Sequence, residues 1–370
     1  MYIHENKEWP AFRWDQAKLT DLLAEVRHRQ GRLLGRMEGL GFRLRGEATL
    51  TTLTYDVMKT SEIEGEKLDP QQVRSSIARR LGMDIGVSPQ IGRNVEGIVE
   101  VMLDATHNHG LPVSTQRLFG WHAALFPTGR SGMRPIVVGG WRTAISGAMQ
   151  VVSGPLGHEK VHYEAPSADR LDIEMARFIN WFNADSPTDL VVKSGLAHFW
   201  FVTIHPFEDG NGRIARALAD MQLARSENST QRFYSMSSQI QHDRNAYYGI
   251  LEECQKGALE ITAWIAWYLN CLMRAIAESE ETLNAVLTKA RFWETHAGQS
   301  FNERQRTLIN RLLDGFEGKL TSSKLSKLTK CSQDTALRDI SDLLEHKILT
   351  KDRSGGRSTS YSLIVAEREE

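Results

Sequence analysis

Apolar residues recur at helical spacing along most of this chain, and strand-like runs are short and few. From Asp15 onward, Leu19, Leu22, Leu23, Val26, Leu33, Leu34 and Met37 trace one face of a helix that ends at Gly39 and Gly41. A second helix covers Glu47 to about Ser61, with Leu50, Leu53 and Val57 on one side. Asp69-Pro70 places a capping carboxylate before a first-turn proline, and Val73, Ile77 and Leu81 follow it. Ser88-Pro89 repeats that start signal ahead of Val95, Ile98, Val99 and Met102, and Ser114 caps a helix carrying Leu118, Trp121, His122 and Leu125. Ser167 to Ala184 and the strongly apolar Asp189 to Ile204 add two more, the second reading as a buried helix. Helical spacing resumes from Arg213 through Ile214, Leu218 and Met221, from Arg244 to Leu251, and over Leu259 to Leu287.

Extended structure is expected in one place in this long array. Ile136-Val137-Val138 is β-branched, Gly139 and Gly140 follow, and Met149, Val151 and Val152 form a second run after Gly147. The two runs predict a hairpin. From about Ala290 the pattern changes to a helix from Phe301, a short helix with Leu325 and Leu328, a helix from Gln333 to His346, and a hairpin turning at Ser354-Gly355-Gly356. The fold class is therefore mainly α, with little sheet.

Composition narrows the setting. In 370 residues the formal net charge is -1, which argues against a nucleic-acid footprint over the whole chain. Cys254, Cys271 and Cys331 are odd in number and far apart, so they suit neither a disulfide framework nor a metal-ligand pair, and a reducing cytoplasm is the expected setting. No apolar run approaches a membrane span, so no membrane partner is expected. His158 and His162 have nothing nearby that would complete a metal site.

The chemistry concentrates in His205-Pro206-Phe207-Glu208-Asp209-Gly210-Asn211-Gly212-Arg213-Ile214-Ala215-Arg216, a loop between two helices. A helix N-terminus presents unpaired N–H groups and positive potential, and glycines let the backbone curl around an anion. Asp209 suits a divalent cation such as Mg²⁺, which shares oxygen ligands with phosphate. Arg213 and Arg216 lie on one helix face and offer planar forks to phosphate oxygens, and His205 is the natural proton acceptor. Each residue type alone has an ordinary structural use. In this order they point to phosphoryl or nucleotidyl transfer.

The twelve residues resemble, at every fixed position, the His-x-Phe-x-Asp/Glu-Gly-Asn-Gly-Arg-x-x-Arg signature of the Fic family. The resemblance implies a helical enzyme that transfers AMP from ATP to a Tyr, Thr or Ser hydroxyl of a protein target or of itself. It implies that His205 deprotonates that hydroxyl and that Asp209 binds Mg²⁺. Gly210, Asn211 and Gly212 would cradle the α- and β-phosphates, Arg213 and Arg216 would bind phosphates, and Phe207 would anchor the nucleotide-binding loop. Tyr247 or Tyr248 stands where family members line the adenine pocket, although burial in the core is the ordinary use of such rings. Thr60, Glu64 and Gly65 resemble the Ser/Thr-x-x-x-Glu-Gly/Asn inhibitory motif, which implies that Glu64 pairs with Arg216 and fills the γ-phosphate space. The stretch near residues 136–153 would be a flap that binds the target segment by strand addition.

The resemblance divides the chain into an N-terminal helical region with the inhibitory helix over residues 1–86, a Fic core over 87–287 and a further domain over 288–370. That last domain resembles a winged helix-turn-helix with Gln333 to His346 as recognition helix. Lys324, Lys327, Lys330, Arg338, Lys347, Lys351, Arg353 and Arg357 favour phosphate, whereas Asp334, Asp339, Asp342 and Glu345 oppose it. DNA binding, protein docking and homodimerisation all stay open for it. Two further readings of the whole chain also stand: a nucleotide-sensing transcription regulator, and Fic-type chemistry on another nucleotide cargo or in removal of AMP.

Overall fold

The computed structural model describes residues 1–83, 90–155, 158, 160–313, 316, 318–352 and 359–364. The Ser88-Pro89 start signal, the Ser354-Gly355-Gly356 turn, Arg353 and Arg357 lie outside them. By mutual packing the chain divides into two units, Met1–Ser279 and Glu280–Glu370.

The first unit opens with an aromatic arm. Trp9 and Phe12 set their rings edge-on to Trp200, the Trp9 indole N–H donates to Glu174 at 2.8 Å, and Arg13 exchanges backbone hydrogen bonds with Leu259 and Ile261. Helices α1 (Gln16–Glu38), α2 (Phe42–Ile63), α3 (Pro70–Arg80), α4 (Arg93–His107) and α5 (Thr115–Leu125) follow. Asp15, Asp69 and Ser114, legible as start signals, accept backbone N–H bonds at the starts of α1, α3 and α5. α2 begins at Phe42, five residues before the expected Glu47. The helix runs through Gly46, because Leu50, Leu53 and Val57 beyond it are buried and tertiary packing outweighs one unfavourable glycine.

After two-residue strands β1 (Arg130–Ser131) and β2 (Arg134–Pro135), β3 (Gln150–Ser153) pairs antiparallel with β4 (Lys160–Glu164). The hairpin therefore falls one segment later than expected, and residues 136–143 form no strand. Three of their backbone donors are taken elsewhere: Val137 N–H by Glu208 Oε2 at 3.1 Å, Gly139 N–H by His122 Nδ1 at 3.2 Å, and Arg142 N–H by the Pro206 carbonyl at 2.9 Å.

α6 (Leu171–Asn183), α7 (Leu190–Ile204), α8 (Asn211–Glu227), α9 (Met236–His242), α10 (Arg244–Gln255) and α11 (Thr262–Thr295) complete the helical array. α7 is its axis, since every side chain from Val191 to Ile204 is buried. A helix apolar all round has no solvent face and belongs at the centre. Among its polar groups, Ser194 donates to the Ala219 carbonyl at 2.9 Å and His198 Nε2 bonds the Tyr247 hydroxyl at 2.8 Å, whereas His198 Nδ1 and Trp200 Nε1 are buried without a hydrogen-bond partner among the described residues. α8 packs along α7, and α2 lies against both α8 and α9. The end of α2 is thereby brought to the start of α8.

The second unit holds α12 (Glu303–Leu313), α13 (Ser322–Thr329), α14 (Gln333–Glu345), β5 (Leu349–Lys351) and β6 (Tyr361–Leu363). Leu308, Ile309, Leu325, Ile340 and Leu343 share its core, and β5 pairs antiparallel with β6. Asp339 turns inward from α14 and takes hydrogen bonds from Arg304 at 2.7 Å and Asn302 at 2.8 Å.

Candidate active site

The site forms where α7 ends and α8 begins. His205 caps α7 in a left-handed conformation, φ 52° and ψ 59°. Its Nδ1 lies 3.2 Å from the Val202 carbonyl. That oxygen can only accept, so Nδ1 carries the proton and Nε2 presents a lone pair. Burial, opposed by the Val202 hydrogen bond and reinforced by Arg142, lowers the His205 pKa to about 4. The imidazole is therefore neutral near pH 7, as a general base must be before it acts.

Phe207 is fully buried beneath the loop, stacked on His122 at 4.2 Å between ring centres and packed near Trp141 and Phe201. It supports the loop from below. The Asn211 side chain closes the loop from within: its Oδ1 accepts the Phe207 N–H at 2.9 Å and its Nδ2 donates to the Phe207 carbonyl at 2.8 Å. That amide is spent on loop geometry, which leaves the backbone to form any anion cradle. Gly210 takes φ 80°, a turn that suits glycine, and starts α8. His122 donates from Nε2 to the Asp209 carbonyl at 3.2 Å and accepts from Gly139, so it joins the loop to residues 136–143.

Glu64 sits at the C-cap of α2 and meets this loop. Arg216 donates from Nη2 to Glu64 Oε1 at 2.7 Å and to the Thr60 carbonyl at 2.9 Å, and from Nε to the Thr60 hydroxyl at 2.6 Å. Burial disfavours the Arg216 charge, but the adjacent Glu64 carboxylate more than offsets this and raises its pKa above the ordinary value. A Cβ on Gly212 would stand 2.3 Å from Glu64 Oε1, so only glycine allows the carboxylate to rest there. One turn residue later, Gly65 at φ 85° brings Glu66 around, whose Oε2 is 3.3 Å from Arg213 Nη1 and whose Oε1 accepts from Asn94 at 3.0 Å.

An anion fits this place. Nε of Arg213 and Nη1 of Arg216 are buried without a hydrogen-bond partner among the described residues, and the Glu64 carboxylate already stands over Gly212 as an anion would. Asp209 shares its carboxylate with the Ser131 hydroxyl and lines a cavity of about 650 Å³ with Glu64, Glu66, Arg93, Phe126 and Arg213. Among the described residues no group of three or more His, Cys, Asp or Glu side chains could hold a metal, so Mg²⁺ at Asp209 would depend on phosphate oxygens and water.

Tyr247 is buried against His198, Trp264 and Trp267, whereas Tyr248 is 39% exposed with Arg244 over its ring. Of the two, Tyr248 is the one solvent reaches. The sequence reading passed over Arg142, Ser131 and Glu66. Nothing in a lone arginine after Gly-Gly-Trp marks it, while Glu66 was legible as a second acid two residues after Glu64.

Residues 112–223 match the Fic/DOC family, and residues 2–83 match a family described as a domain of unknown function (DUF4172). The chain is 33% identical over 113 residues to a protein adenylyltransferase Fic of Culex quinquefasciatus, covering 30% of this chain and 21% of that protein. It is 26% identical over 215 residues to that of Drosophila grimshawi, covering 55% of this chain and 41% of the relative. The matches thus span well under two thirds of these relatives' length. In fold it resembles a Fic family protein from Desulfovibrio desulfuricans, with a TM-score of 0.53 at 20% identity over 95% of this chain and 97% of that one. A Fic domain containing signaling protein from Bacteroides thetaiotaomicron also has a TM-score of 0.53, at 17% identity over 70% of this chain and 97% of its own.

Proposed function

We propose that this chain, whose residues 112–223 match the Fic/DOC family, is a protein adenylyltransferase held inactive by Glu64. It moves AMP from ATP to the hydroxyl of a Tyr, Thr or Ser side chain, on a protein target or on itself. The observation that carries the reading is the Arg216–Glu64–Gly212 contact, a carboxylate seated on a glycine cradle and on the arginine that would hold phosphate.

The chemistry follows from the groups present. The target hydroxyl oxygen attacks the α-phosphorus, its proton passes to Nε2 of His205, the bond to the bridging oxygen breaks, and pyrophosphate leaves. Neutral His205 is in the right state to accept that proton. The start of α8, with Gly210 and Gly212, offers backbone N–H groups to the phosphates, and Arg213 and Arg216 take up charge on the leaving group. Mg²⁺ held by Asp209 and phosphate oxygens would supply further positive charge there. Val137 is tied to the loop through Glu208, and residues 136–153 are the place for a target segment, with Val152 of β3 exposed. Tyr248 is the better placed of the two tyrosines to meet a base.

Inhibition is a matter of occupancy. While Glu64 holds Arg216, a triphosphate would bring a second anion into the same space and lose one clamp. Glu66 engages Arg213 in the same way from the same turn. We read the C-terminal unit as a winged helix-turn-helix that docks protein, or a second copy, in preference to DNA. Outward-facing Asp334 and Glu345 on α14 outnumber Arg338, and Asp339 is spent on Arg304.

The test uses ATP labelled on the α-phosphate, Mg²⁺ and purified protein in three forms: wild type, Glu64→Gly, and Glu64→Gly with His205→Ala. Label on protein in the second form alone is expected. No label with Glu64→Gly, even in cell lysate, would overturn the assignment and turn attention to other nucleotides.

A further inference from the structure

We infer that Arg142 is the positioning residue of His205: one buried side chain, with its own backbone N–H, holds the carbonyls that fix the turn carrying the imidazole. The inference rests on the transfer reading for the role of His205, but not for its geometry.

The end of α7 poses a problem that the sequence makes plain. A helix leaves its last carbonyls without N–H partners. The usual remedy draws on the N–H groups of the next residues. Here the residue after His205 is Pro206, which has no N–H. His205 itself stands at φ 52°, a conformation that non-glycine residues adopt rarely and need surroundings to hold.

Side chains take over the missing donors. His205 Nδ1 meets the Val202 carbonyl, and the Tyr163 hydroxyl donates to the Thr203 carbonyl at 2.8 Å. Arg142 does the rest. Its Nε donates to the His205 carbonyl at 2.8 Å, its Nη2 reaches the Ile204 carbonyl at 3.5 Å and the Pro166 carbonyl, and its backbone N–H donates to the Pro206 carbonyl at 2.9 Å. Three consecutive carbonyls, at 204, 205 and 206, thus depend on one residue. Arg142 is 4% exposed, and its hydrogen-bond partners are carbonyl oxygens. A lysine has one donor centre and cannot span them, which is why the planar fork matters.

The placement has a second consequence. A cation beside an imidazole opposes its protonation. Burial does most to keep His205 neutral, and Arg142 adds to it, while Glu64 and Asp209 pull the other way. Removing Arg142 should therefore both loosen the imidazole and ease its protonation.

The experiment follows His205 in full-length protein labelled with ¹⁵N-histidine, its signal assigned by loss in His205→Gln. Wild type, Arg142→Lys and Arg142→Met are compared, with melting and circular dichroism as folding controls. Wild type should show the Nδ1–H tautomer throughout the neutral range. Arg142→Met should mix tautomers and raise the titration midpoint by about one unit or more. Arg142→Lys should keep a low midpoint but lose part of the tautomer preference. In the Glu64→Gly background, Arg142→Met should lower kcat at least about tenfold with little change in KM for ATP, because positioning acts on the reacting geometry. A folded Arg142→Met with wild-type tautomer and midpoint would overturn the inference. If that variant does not fold, Arg142→Lys with wild-type tautomer ratio and wild-type kcat would overturn it equally. Since the titration needs no turnover, it can succeed where AMP transfer fails, and the reverse.

Discussion

At Gly212 one missing methyl group decides which anion the site can hold. A Cβ there would come within 2.3 Å of Glu64 Oε1 and 3.2 Å of Arg216 Nη1. The same space would receive a phosphate oxygen, so Gly212→Ala should not act as an activating change even though it pushes Glu64 away. In the Glu64→Gly background, adding Gly212→Ala should cut label transfer about 100-fold or more, as loss of a phosphate cradle does. The melting temperature should hold or rise, because alanine suits a helix better than glycine by about 0.5–1 kcal/mol. Label transfer comparable with Glu64→Gly alone would show that the cradle lies elsewhere. At this scale the sequence was readable where motif spacing implies a pairing: the expected contact between Glu64 and Arg216 is present. It was not readable where a residue works through contacts made only after folding. Asn211 reads as part of a turn, yet its amide closes on Phe207; Phe207 reads as an anchor, and its stacking partner His122 comes from a helix some 85 positions earlier.

Among elements, the turn that ends α2 carries two acids two positions apart, bent by Gly65 so that each reaches a different arginine of α8. Glu64 holds the deeper one and Glu66 the outer one, and Asn94 of α4 steadies Glu66. Glu66 is partly exposed, at 38% for its side chain, so its ion pair is screened and worth less than that of Glu64. Glu66→Gln alone should therefore raise auto-labelling only a few-fold. Combined with Glu64→Gly, it should lower KM for ATP while leaving kcat near that of the single variant, since it frees a clamp used equally before and during reaction. An unchanged KM would remove Glu66 from the inhibitory device. Element starts were the most legible part of the fold, because capping residues satisfy local N–H groups and need no distant partner, as at Asp69 and Ser114. Strand pairing was the least legible. Ile136-Val137-Val138 has strand character, but its neighbours' hydrogen bonds go to Glu208, His122 and Pro206, and the ladder forms between β3 and β4 instead. Propensity describes a segment; pairing depends on which donors the tertiary structure leaves free.

Across the first unit, burial lowers the pKa of several histidines, three of them strongly. His122 is lowered to about 4, His198 to about 3 and His205 to about 4, each chiefly by burial. The sign of the effect on stability follows. The unfolded chain takes up a proton at each of these positions near the ordinary value of 6.5, while the folded chain refuses it until much lower pH. Stability is then fully present above about pH 6.5 and is lost as pH falls toward 4, at roughly 1.4 kcal/mol per pH unit for each histidine. His198 is the residue with which to test this, because it lies in α7 away from the loop and its Nε2 meets Tyr247. In His198→Gln the amide can still bond that hydroxyl but cannot titrate. The variant should lose some stability at neutral pH through imperfect packing. Its melting temperature should nevertheless fall less than that of wild type between about pH 7 and pH 5, by a few degrees. Equal slopes for the two proteins would mean that His198 is protonated in the fold or reached by water, and the account of α7 as a closed axis would have to change. A central helix that carries the buried His198 and is capped by His205 ties the 205–216 loop to the stability of the whole unit. Conditions that protonate the core would therefore be expected to disturb the capping of α7, and with it His205, before the outer helices separate.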